Sequence, residues 1–493
     1  MSLVELPSQP IVCKNLVAGV WVEPAGAKYL EVKSPYTNTV IGTVPLSSAE
    51  DVARVVAGAK KAAPGWRDTP LRERTALLMK FRGLLEKNLE RLGNSAAREA
   101  GKTLAEGKAG VLKGIEVCDF ALAIQNFDKG GSMEVSRNIH CEYRREPLGV
   151  VAGIAPFNFP AMVPMWMFPT ALTLGNTFVL KPSEKVPLTS QIIGELLLEA
   201  GFPPGVFSLV NGARETVEAL LDHPDIQAVG FVGSTAAAKA VYERGSLSGK
   251  RVLALGGAKN HIILVPDADE AITIPGIVDS FTGCAGQRCM AASVLLAVGD
   301  VDALLGKIAD RARQIEVGPQ LGAIIDKASH ERILGYIARA EKEGAKIIVD
   351  GRGKTPGQGY DGGNWMGPTI IDHTTAEMEI SKSEVFGPVI SIIRVPNLTA
   401  ALAIENDNPY GNAASVFTTN GAIAQHVADH ARAGMIGVNI GVPVPREPFS
   451  FGGIQDSKFG TGDITGESSL NFWSHIKKIT RKWSAQTDKS WMS

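Results

Sequence analysis

A cysteine at position 289 is the strongest candidate for a nucleophile in the chain. It lies in the segment GCAGQRCMA at 283–291, after small residues and directly after Arg288. A neighbouring cation favours the thiolate, which is the reactive form of cysteine. Taken singly, such a cysteine is more often a buried structural residue. Cys284 in the same segment has no further support, so we interpret it as structural.

An asparagine lies on a turn that ends a predicted buried strand, in the segment APFNFP at 155–160. The amide of Asn158 could donate to the negative charge that develops on a carbonyl oxygen under attack. Ala155 and Phe157 precede it on the same turn. An asparagine flanked by prolines also suits the turn itself, so this motif alone leaves both interpretations open.

Two further segments follow predicted strands at positions where nucleotides bind. Lys181 and Glu184, in KPSE, could hydrogen-bond a ribose, and the carboxylate would repel a 2′-phosphate. In FVGST, Gly233 permits close backbone approach, and Ser234 comes where a helix N-terminus can meet a pyrophosphate. Neither segment contains a GxGxxG fingerprint, and each is also explained by ordinary capping or turn formation.

A third segment, EVFGP at 384–388, precedes a predicted strand. Glu384 and Phe386 could hold the ribose and ring of a nicotinamide. The same residues would also suit a loop that packs its phenylalanine into the core, so the segment gains weight only in combination with the others.

The elements that must position these residues follow from the hydrophobic pattern. Residues 47–128 have helical spacing, and Ser47 before Glu50 predicts a capping box. From 147 to about 255, strands alternate with helices of about a dozen residues, which predicts parallel βαβ units. A second α/β region follows from about 256 to 440. The fold class is therefore α/β, and its sheets bind ligands at the carboxyl ends of their strands.

Composition excludes several classes of function. The chain has 493 residues, and 50 Lys and Arg balance 51 Asp and Glu to a net charge of -1, so we expect neither nucleic-acid nor membrane binding. Five cysteines without a CxxC pair, and eight dispersed histidines, predict reduced thiols and no metal site. The N-terminus has no signal-peptide pattern, so we expect a cytoplasmic protein.

Together and in this order, the motifs resemble the aldehyde dehydrogenase superfamily along nearly the whole chain. The sequence is most similar to its methylmalonate-semialdehyde dehydrogenase branch, whose members pass an acyl group to coenzyme A (CoA). The resemblance is carried by PLGVVAGIAPFNFPAMVPMWMFPTALTLGNTFVLKPSE at 147–184, GAKNH at 257–261, GQRCMA at 286–291 and NIGVPVP at 439–445.

The resemblance implies a role for each candidate residue. Cys289 would be the nucleophile, and Asn158 and the backbone N–H of Cys289 would form the oxyanion hole. NAD would be the cofactor, and the hydride it accepts would leave a thioester on Cys289. The residues at matching cofactor-binding positions are Ala155, Phe157, Lys181, Glu184, Gly233, Ser234, Glu384 and Phe386. A non-catalytic relative with the same fold is the competing hypothesis, and the intact candidate residues argue against it.

The resemblance also implies a domain organisation and an assembly. A Rossmann-type NAD-binding domain would comprise 1–130 and 148–255, and an α/β catalytic domain would comprise 256–469. A small β oligomerisation element would pair 131–147 with 470–493 and build a homotetramer, as a dimer of dimers. The alternating segment NFWSHIKKITRKW would otherwise be an exposed strand edge, which is a physical reason to expect pairing between subunits.

The removal of the thioester depends on one position. Hydrolytic members of the superfamily carry a glutamate that activates water, and here the matching residue is Ala254. A methyl group cannot take a proton from water, so we expect CoA to be the acyl acceptor. A general base elsewhere in the site, which would give a free acid, stays open as the alternative.

The substrate is expected to be a small carboxylated aldehyde, malonate or methylmalonate semialdehyde. The branch holds the carboxylate with two arginines, and the matching residues here are Arg288 and Lys113. A lysine cannot form the bidentate fork of an arginine. Arg446 adds a cation in PREPFSFGG at 445–453, where the branch is apolar. These changes leave open another anionic or hydroxylated aldehyde, or simple surface charges.

Overall fold

The computed structural model describes residues 4–483. Short strands precede four long helices. The strands are β1 (Ile11–Val12), β2 (Asn15–Val17), β3 (Val20–Val22), β4 (Lys28–Lys33) and β5 (Val40–Leu46). The helices are α1 (Ala49–Asp68), α2 (Leu71–Lys87), α3 (Leu89–Ala100) and α4 (Leu104–Phe127).

The capping box of α1 lies one residue later than the sequence pattern predicts. The hydroxyl of Ser48 accepts from the backbone N–H of Asp51, and Asp51 accepts from the N–H of Ser48. Ser47 is buried, and its hydroxyl accepts from the amide of Asn15 at 2.8 Å. The prediction was wrong because Ser47 is engaged in this tertiary contact.

Strands and helices alternate through the middle of the chain, as predicted. The elements are β6 (Gly131–Ser136), β7 (Ile139–Pro147), β8 (Val150–Ile154), α5 (Met162–Thr173), β9 (Thr177–Lys181), α6 (Leu188–Glu199), β10 (Phe207–Leu209), α7 (Arg214–Asp222), β11 (Ile226–Val232), α8 (Thr235–Leu247), β12 (Arg251–Leu255), β13 (Asn260–Leu264) and α9 (Glu270–Thr282).

The same alternation continues after a short 3₁₀ turn, Gly283–Gly286. The elements are β14 (Ala292–Val298), α10 (Asp302–Arg313), α11 (Lys327–Lys342), β15 (Lys346–Val349), β16 (Thr369–Asp372), α12 (Glu379–Lys382), β17 (Val389–Val395), α13 (Leu398–Asp407), β18 (Tyr410–Gly411), β19 (Ala413–Phe417), α14 (Gly421–His430), β20 (Met435–Val438), β21 (Ile454–Gln455), β22 (Lys458–Gly460), α15 (Gly466–Phe472) and β23 (Ser474–Lys482).

Two large sheets organise the molecule. The first has the order β22-β12-β11-β8-β9-β10-β2-β3, and β8 to β12 are parallel to one another. Apolar residues of α1, α7 and α8 cover one face, and those of α2, α4, α5 and α6 cover the other. Burial on both faces explains why these strands are apolar throughout.

The second sheet has the order β15-β16-β17-β14-β13-β19-β20, and only β15 runs antiparallel to its neighbour. Helices α9 and α10 cover one face, and α13 and α14 cover the other. The main chain between β12 and β13, residues 256–259, links the two sheets, so loops from both sheets meet there.

A third, smaller sheet has the order β23-β7-β6 and is antiparallel. Strand β23 begins only at Ser474, although the alternating pattern predicts a strand from Asn471. Phe472 and Trp473 are instead buried in the main core, where Trp473 lies edge-on to Phe178. The predicted pairing of 131–147 with the C-terminal segment is present up to Lys482, and residues 484–493 lie outside the described part.

No helix within residues 4–483 is both long and apolar enough to cross a lipid bilayer.

Candidate active site

A cleft of about 1080 Å³ opens along the carboxyl ends of the parallel strands in the first sheet. This main cleft is lined by residues of both large sheets. All ten candidate residues for catalysis and cofactor binding line it: Ala155, Phe157, Asn158, Lys181, Glu184, Gly233, Ser234, Cys289, Glu384 and Phe386. Residues that are up to 231 positions apart in the chain therefore meet at one surface, as the βαβ pattern predicts for parallel sheets.

Cys289 is held in the main cleft by two side-chain amides that sequence reasoning did not single out. Its carbonyl oxygen accepts from Asn260 at 2.7 Å and from Asn412 at 2.8 Å. The preceding turn is left-handed at Cys284, with φ 54°, and at Gly286, with φ 66°. The turn and the two amides fix the backbone of Cys289, the candidate nucleophile. Asn260 lies within GAKNH, so its motif was visible in the sequence although its role was not.

The amide of Asn158 points at the same loop. Its nitrogen donates to the carbonyl of Gln287 at 3.0 Å, and the residue is buried. Gln287 is itself fixed, since its side chain donates to Ala323 and accepts from the N–H of Ile325. An amide nitrogen carries two N–H groups, so one remains for an oxyanion beside Cys289.

The thiol of Cys289 is protonated at neutral pH in this structure. Burial raises its pKa to about 12, and the nearby charge of Glu384 adds to the increase. The Arg288 guanidinium lowers the pKa, as the sequence argument expects, but its effect is the smaller one. The thiolate therefore depends on a further positive charge or proton acceptor in the cleft.

Glu384 is half-buried in the lining of the main cleft, and it also borders a small cavity beside Cys289. Burial raises the pKa of its carboxyl to about 7, although the N–H of Ala258 and the charge of Lys259 oppose the increase. Its oxygen accepts from the Ala258 N–H at 3.1 Å. Lys259 donates to the carbonyl of Ile380 at 2.7 Å, and burial lowers its pKa. The sequence analysis assigned no role to Lys259, although this residue lies in the GAKNH segment between β12 and β13.

The other end of the cleft holds a lysine and a glutamate as a pair. The ammonium of Lys181 donates to the carboxylate of Glu184 at 3.0 Å. Burial alone would raise the pKa of Glu184, but the Lys181 charge holds it below its usual value. A half-buried carboxylate in this position can accept from the hydroxyls of a ribose and would repel an added phosphate.

A helix N-terminus and close-packed glycines form the floor of the cleft. Ser234 occupies the N-cap position of α8, and its side chain makes no capping hydrogen bond. A Cβ at Gly257 would lie 2.5 Å from an oxygen of Glu384 and 2.9 Å from the hydroxyl of Thr235. A Cβ at Gly233 would lie 2.5 Å from the Phe231 ring. These positions require glycine, and the helix N–H groups can bind an anion such as a pyrophosphate.

Phe157 and Phe386 contact each other edge-to-face across the cleft, with ring centroids 5.8 Å apart. Phe386 adopts a left-handed backbone with φ 56°. The ammonium of Lys185 lies 5.3 Å from the centroid of the Phe157 ring and pairs with Asp326. The aromatic pair therefore belongs to the same cleft lining as Glu184 and Cys289.

The two candidate substrate residues lie outside the lining of the main cleft. The guanidinium of Arg288 donates to the carbonyl oxygens of Asp279 and Ser280 and borders a separate cavity of about 500 Å³. Lys113 donates to Glu447 at 2.8 Å and to Glu116 at 2.9 Å. The structure thus places both cations in contacts with the protein itself. Arg446 is exposed.

Ala254 is completely buried in β12, where it pairs with Phe231 and Phe459. The described carboxylates that line the main cleft are Glu184, Glu218, Glu243 and Glu384. Of these, Glu384 also borders a small cavity beside Cys289. Position 254 therefore offers no proton acceptor, and Glu384 is the one of these four carboxylates that borders the cavity beside Cys289.

Residues 4–483 contain no group of three or more His, Cys, Asp and Glu side chains that could hold a metal ion.

Comparison with known proteins agrees with the fold and the cleft. The model of the aldehyde dehydrogenase family matches residues 21–479. The chain belongs to the aldehyde dehydrogenase family.

Relatives with assigned activities extend along almost the whole chain. Malonate-semialdehyde dehydrogenase 1 of Geobacillus kaustophilus is 42% identical over 478 residues, which are 96% of this chain and 98% of that protein. The mitochondrial, acylating methylmalonate-semialdehyde/malonate-semialdehyde dehydrogenase of Rattus norvegicus is 40% identical over 477 residues, which are 95% of this chain and 89% of that protein.

Solved structures match equally well. A Sinorhizobium meliloti 1021 protein in complex with NAD has a TM-score of 0.96 at 38% identity, covering 98% of this chain and 100% of that chain. The methylmalonate-semialdehyde dehydrogenase of Oceanimonas doudoroffii has a TM-score of 0.94 at 38% identity, covering 97% of this chain and 99% of that chain.

Proposed function

We propose that the protein oxidises malonate or methylmalonate semialdehyde with NAD and transfers the acyl group from Cys289 to CoA. The products would be acetyl-CoA and propionyl-CoA, formed with loss of the substrate carboxylate. The observation that carries the proposal is the meeting of Cys289, Asn158 and Glu384 in one cleft that has Ala254 in place of a water-activating glutamate. The activities of the relatives from Geobacillus kaustophilus and Rattus norvegicus support it.

The cleft fits a dinucleotide on its own chemistry. Lys181 and Glu184 would hold the adenosine ribose, and the N-terminus of α8 at Ser234 would hold the pyrophosphate. Glu384 and Phe386 would hold the ribose and ring at the nicotinamide end. A side chain at Gly257 would push against Glu384 and Thr235, so glycine here preserves the position of the Glu384 carboxyl. When bound, NAD supplies the hydride acceptor.

The chain's own residues would perform the covalent steps. The Cys289 sulfur forms a bond to the aldehyde carbon, and the N–H groups of Asn158 and Cys289 hold the resulting oxyanion. Loss of hydride from that carbon restores the carbonyl and leaves a thioester. The carboxylate leaves as CO2 from the carbon next to the thioester, and a proton from solvent takes its place. The thiol of CoA then attacks the thioester carbon and gives up its proton, and the Cys289 thiolate leaves.

A hydrolytic dehydrogenase that produces a free acid is the second candidate. One observation favours it: burial raises the pKa of Glu384 to about 7, so this carboxylate could take a proton from water near neutral pH. Its contact with the Ala258 N–H and its place on the cofactor side argue for ribose binding instead.

We further propose the domain organisation and assembly implied by the resemblance. The first sheet would form the NAD-binding domain, from 1–130 and 148–255, and the second the catalytic domain, 256–469. The third sheet would join subunits into a homotetramer, because its outer strands expose the large apolar side chains of Met133 and Ile476. Five free thiols are consistent with a cytoplasmic location.

Separate serine substitutions of Cys289 and Cys284 test whether Cys289 is the nucleophile. Cys289→Ser should abolish NADH formation from malonate semialdehyde and leave NAD binding intact, because serine is a far weaker nucleophile without a base. Cys284→Ser is the matched control and should keep most of the activity. NADH is followed by absorbance and NAD binding by titration calorimetry. Full activity of Cys289→Ser would overturn the assignment.

A further inference from the structure

A lysine and two glutamates form a compact charged cluster between α4 and the loop after β20. We call Lys113, Glu116 and Glu447 the Lys113 cluster. The Lys113 ammonium donates to Glu447 at 2.8 Å and to Glu116 at 2.9 Å. The side chain of Glu447 is only 8% exposed and that of Lys113 17%, whereas that of Glu116 is 43% exposed. The Lys113–Glu447 contact is therefore the sheltered one, and it is little screened by solvent.

The packing of α4 places this cluster next to the main cleft. A Cβ at Gly110 would lie 3.9 Å from the ring of Phe159, and one at Gly114 would overlap Met165. The loop that carries Glu447 continues to Phe451, whose ring centroid lies 4.5 Å from that of Trp166. Phe159 and Trp166 both line the cleft that contains Cys289. Both partners of the ion pair thus come from segments that pack on the walls of the site.

The charge balance of the cluster opposes an incoming carboxylate. One ammonium stands against two carboxylates, so the cluster carries a net negative charge. Arg288, the other cation expected to meet a substrate carboxylate, donates to the carbonyls of Asp279 and Ser280. An uncharged aldehyde meets no such opposition from the apolar walls formed by Phe159, Val163 and Trp166.

We propose that Glu447 is a specificity-determining residue. It cancels the charge of Lys113, and it thereby lowers the preference of the site for aldehydes that carry a carboxylate over uncharged aldehydes of the same length. This inference rests on the proposed oxidation of aldehydes at Cys289. The inference assigns the weakened binding of substrate carboxylates to one side chain in the loop after β20.

Neutralising Glu447 tests the proposal. The quantity measured is the ratio of kcat/KM for malonate semialdehyde to kcat/KM for propanal, from NADH formation with CoA present. Glu447→Gln keeps the shape and removes the charge, so the ratio should rise by about tenfold. Glu116→Gln removes the same charge from the exposed partner and should change the ratio by less than about twofold. An unchanged ratio in active Glu447→Gln would overturn the proposal.

A second variant keeps the test decisive if Glu447→Gln does not fold. Lys113→Met should lower the ratio, because it leaves the sheltered Glu447 carboxylate without its cation and makes the cluster more negative. An unchanged ratio in active Lys113→Met would contradict the proposal, because the charge of the Lys113–Glu447 pair would then not act on the substrate. In Lys113→Met/Glu447→Gln the rise seen with Glu447→Gln alone should disappear.

The two proposals fail in different ways. Absence of NADH from both aldehydes in the wild-type protein would contradict the proposed function and this inference with it. NADH formation in the wild type, together with an unchanged ratio in the variants, would contradict only the role of Glu447.

Discussion

Cys289 is fixed by amides and lies in surroundings that keep its thiol protonated. Asn260 and Asn412 hold its carbonyl, and burial raises the pKa of the thiol to about 12. A thiol of this kind stays protonated and unreactive until a positive charge enters the cleft. The positively charged nicotinamide ring of oxidised NAD would bring such a charge. Deprotonation of the thiol would then be coupled to cofactor binding.

The protonation of Glu384 leads to a pH dependence of cofactor affinity. Burial raises the pKa of this carboxyl to about 7, so it loses its proton as the pH rises through neutrality. The ionised carboxylate can accept hydrogen bonds from both ribose hydroxyls, whereas the protonated acid has one oxygen occupied by its own proton. The Kd for NAD should therefore fall as the pH is raised from about 6 to about 8.

Two variants check this pH dependence by titration calorimetry. Glu384→Gln should bind NAD more weakly and with a flat pH profile. Glu218→Gln, which removes a half-buried carboxylate that lines the same cleft and pairs with Arg214 and Arg244, should keep the wild-type profile. The same pH dependence in Glu384→Gln as in the wild type would show that another group titrates.

At this scale the sequence predicts residue types better than their partners. Seven of the ten candidate residues follow a predicted strand or lie at a helix N-terminus, whereas Cys289, Glu384 and Phe386 lie in loops that precede strands. The partners of Arg288 and Lys113 could not be predicted, since Asp279 and Glu447 approach them only through tertiary packing. Lys259 was missed for the same reason.

At the scale of elements, the left-handed turn before the nucleophile is the most demanding local structure. Gly286 has φ 66°, and a Cβ there would overlap the carbonyl of Gly387. The turn therefore joins the nucleophile loop to the EVFGP segment that carries Glu384. Glu106, in the first turn of α4, accepts from the N–H of Cys284 at 2.6 Å and secures the other side.

An alanine at Gly286 should disrupt both loops. We expect Gly286→Ala to lose nearly all NADH formation and to unfold at a lower temperature, because backbone atoms block the new methyl group. Gly353→Ala is the control, since Gly353 has φ 70° with open space around it and should cost only about 1 kcal/mol of backbone strain. Calorimetry and NADH assays compare the two, and equal losses would contradict this role of Gly286.

The sequence predicted the types of the helices and strands correctly, but it did not always predict the residues at which they begin. The βαβ alternation is confirmed because buried strands and amphipathic helices have distinct periods. The capping box moved from Ser47 to Ser48, and β23 starts at Ser474, because buried contacts of Ser47 and Trp473 override the local pattern. Such contacts come from distant parts of the chain.

For the whole molecule, the exposed edge of the third sheet predicts assembly. Met133 is 66% exposed on β6, and a strand edge with apolar side chains favours pairing with another chain. We expect a tetramer by size-exclusion chromatography with light scattering. Met133→Lys should shift the population to smaller species. Met79→Lys, at a 58% exposed methionine on α2, should leave the mass unchanged. A monomeric wild-type protein would contradict the proposed assembly.

The acyl acceptor is the central question for the whole molecule, because Ala254 leaves the thioester on Cys289 without the usual route to water. The most direct measurement supplies malonate semialdehyde and NAD, follows NADH with and without CoA, and identifies the product by mass spectrometry. We predict that continued turnover needs CoA and yields acetyl-CoA, and that without CoA the reaction stops after about one NADH per active site. Continued CoA-independent NADH formation with a free acid as the sole product would contradict the account.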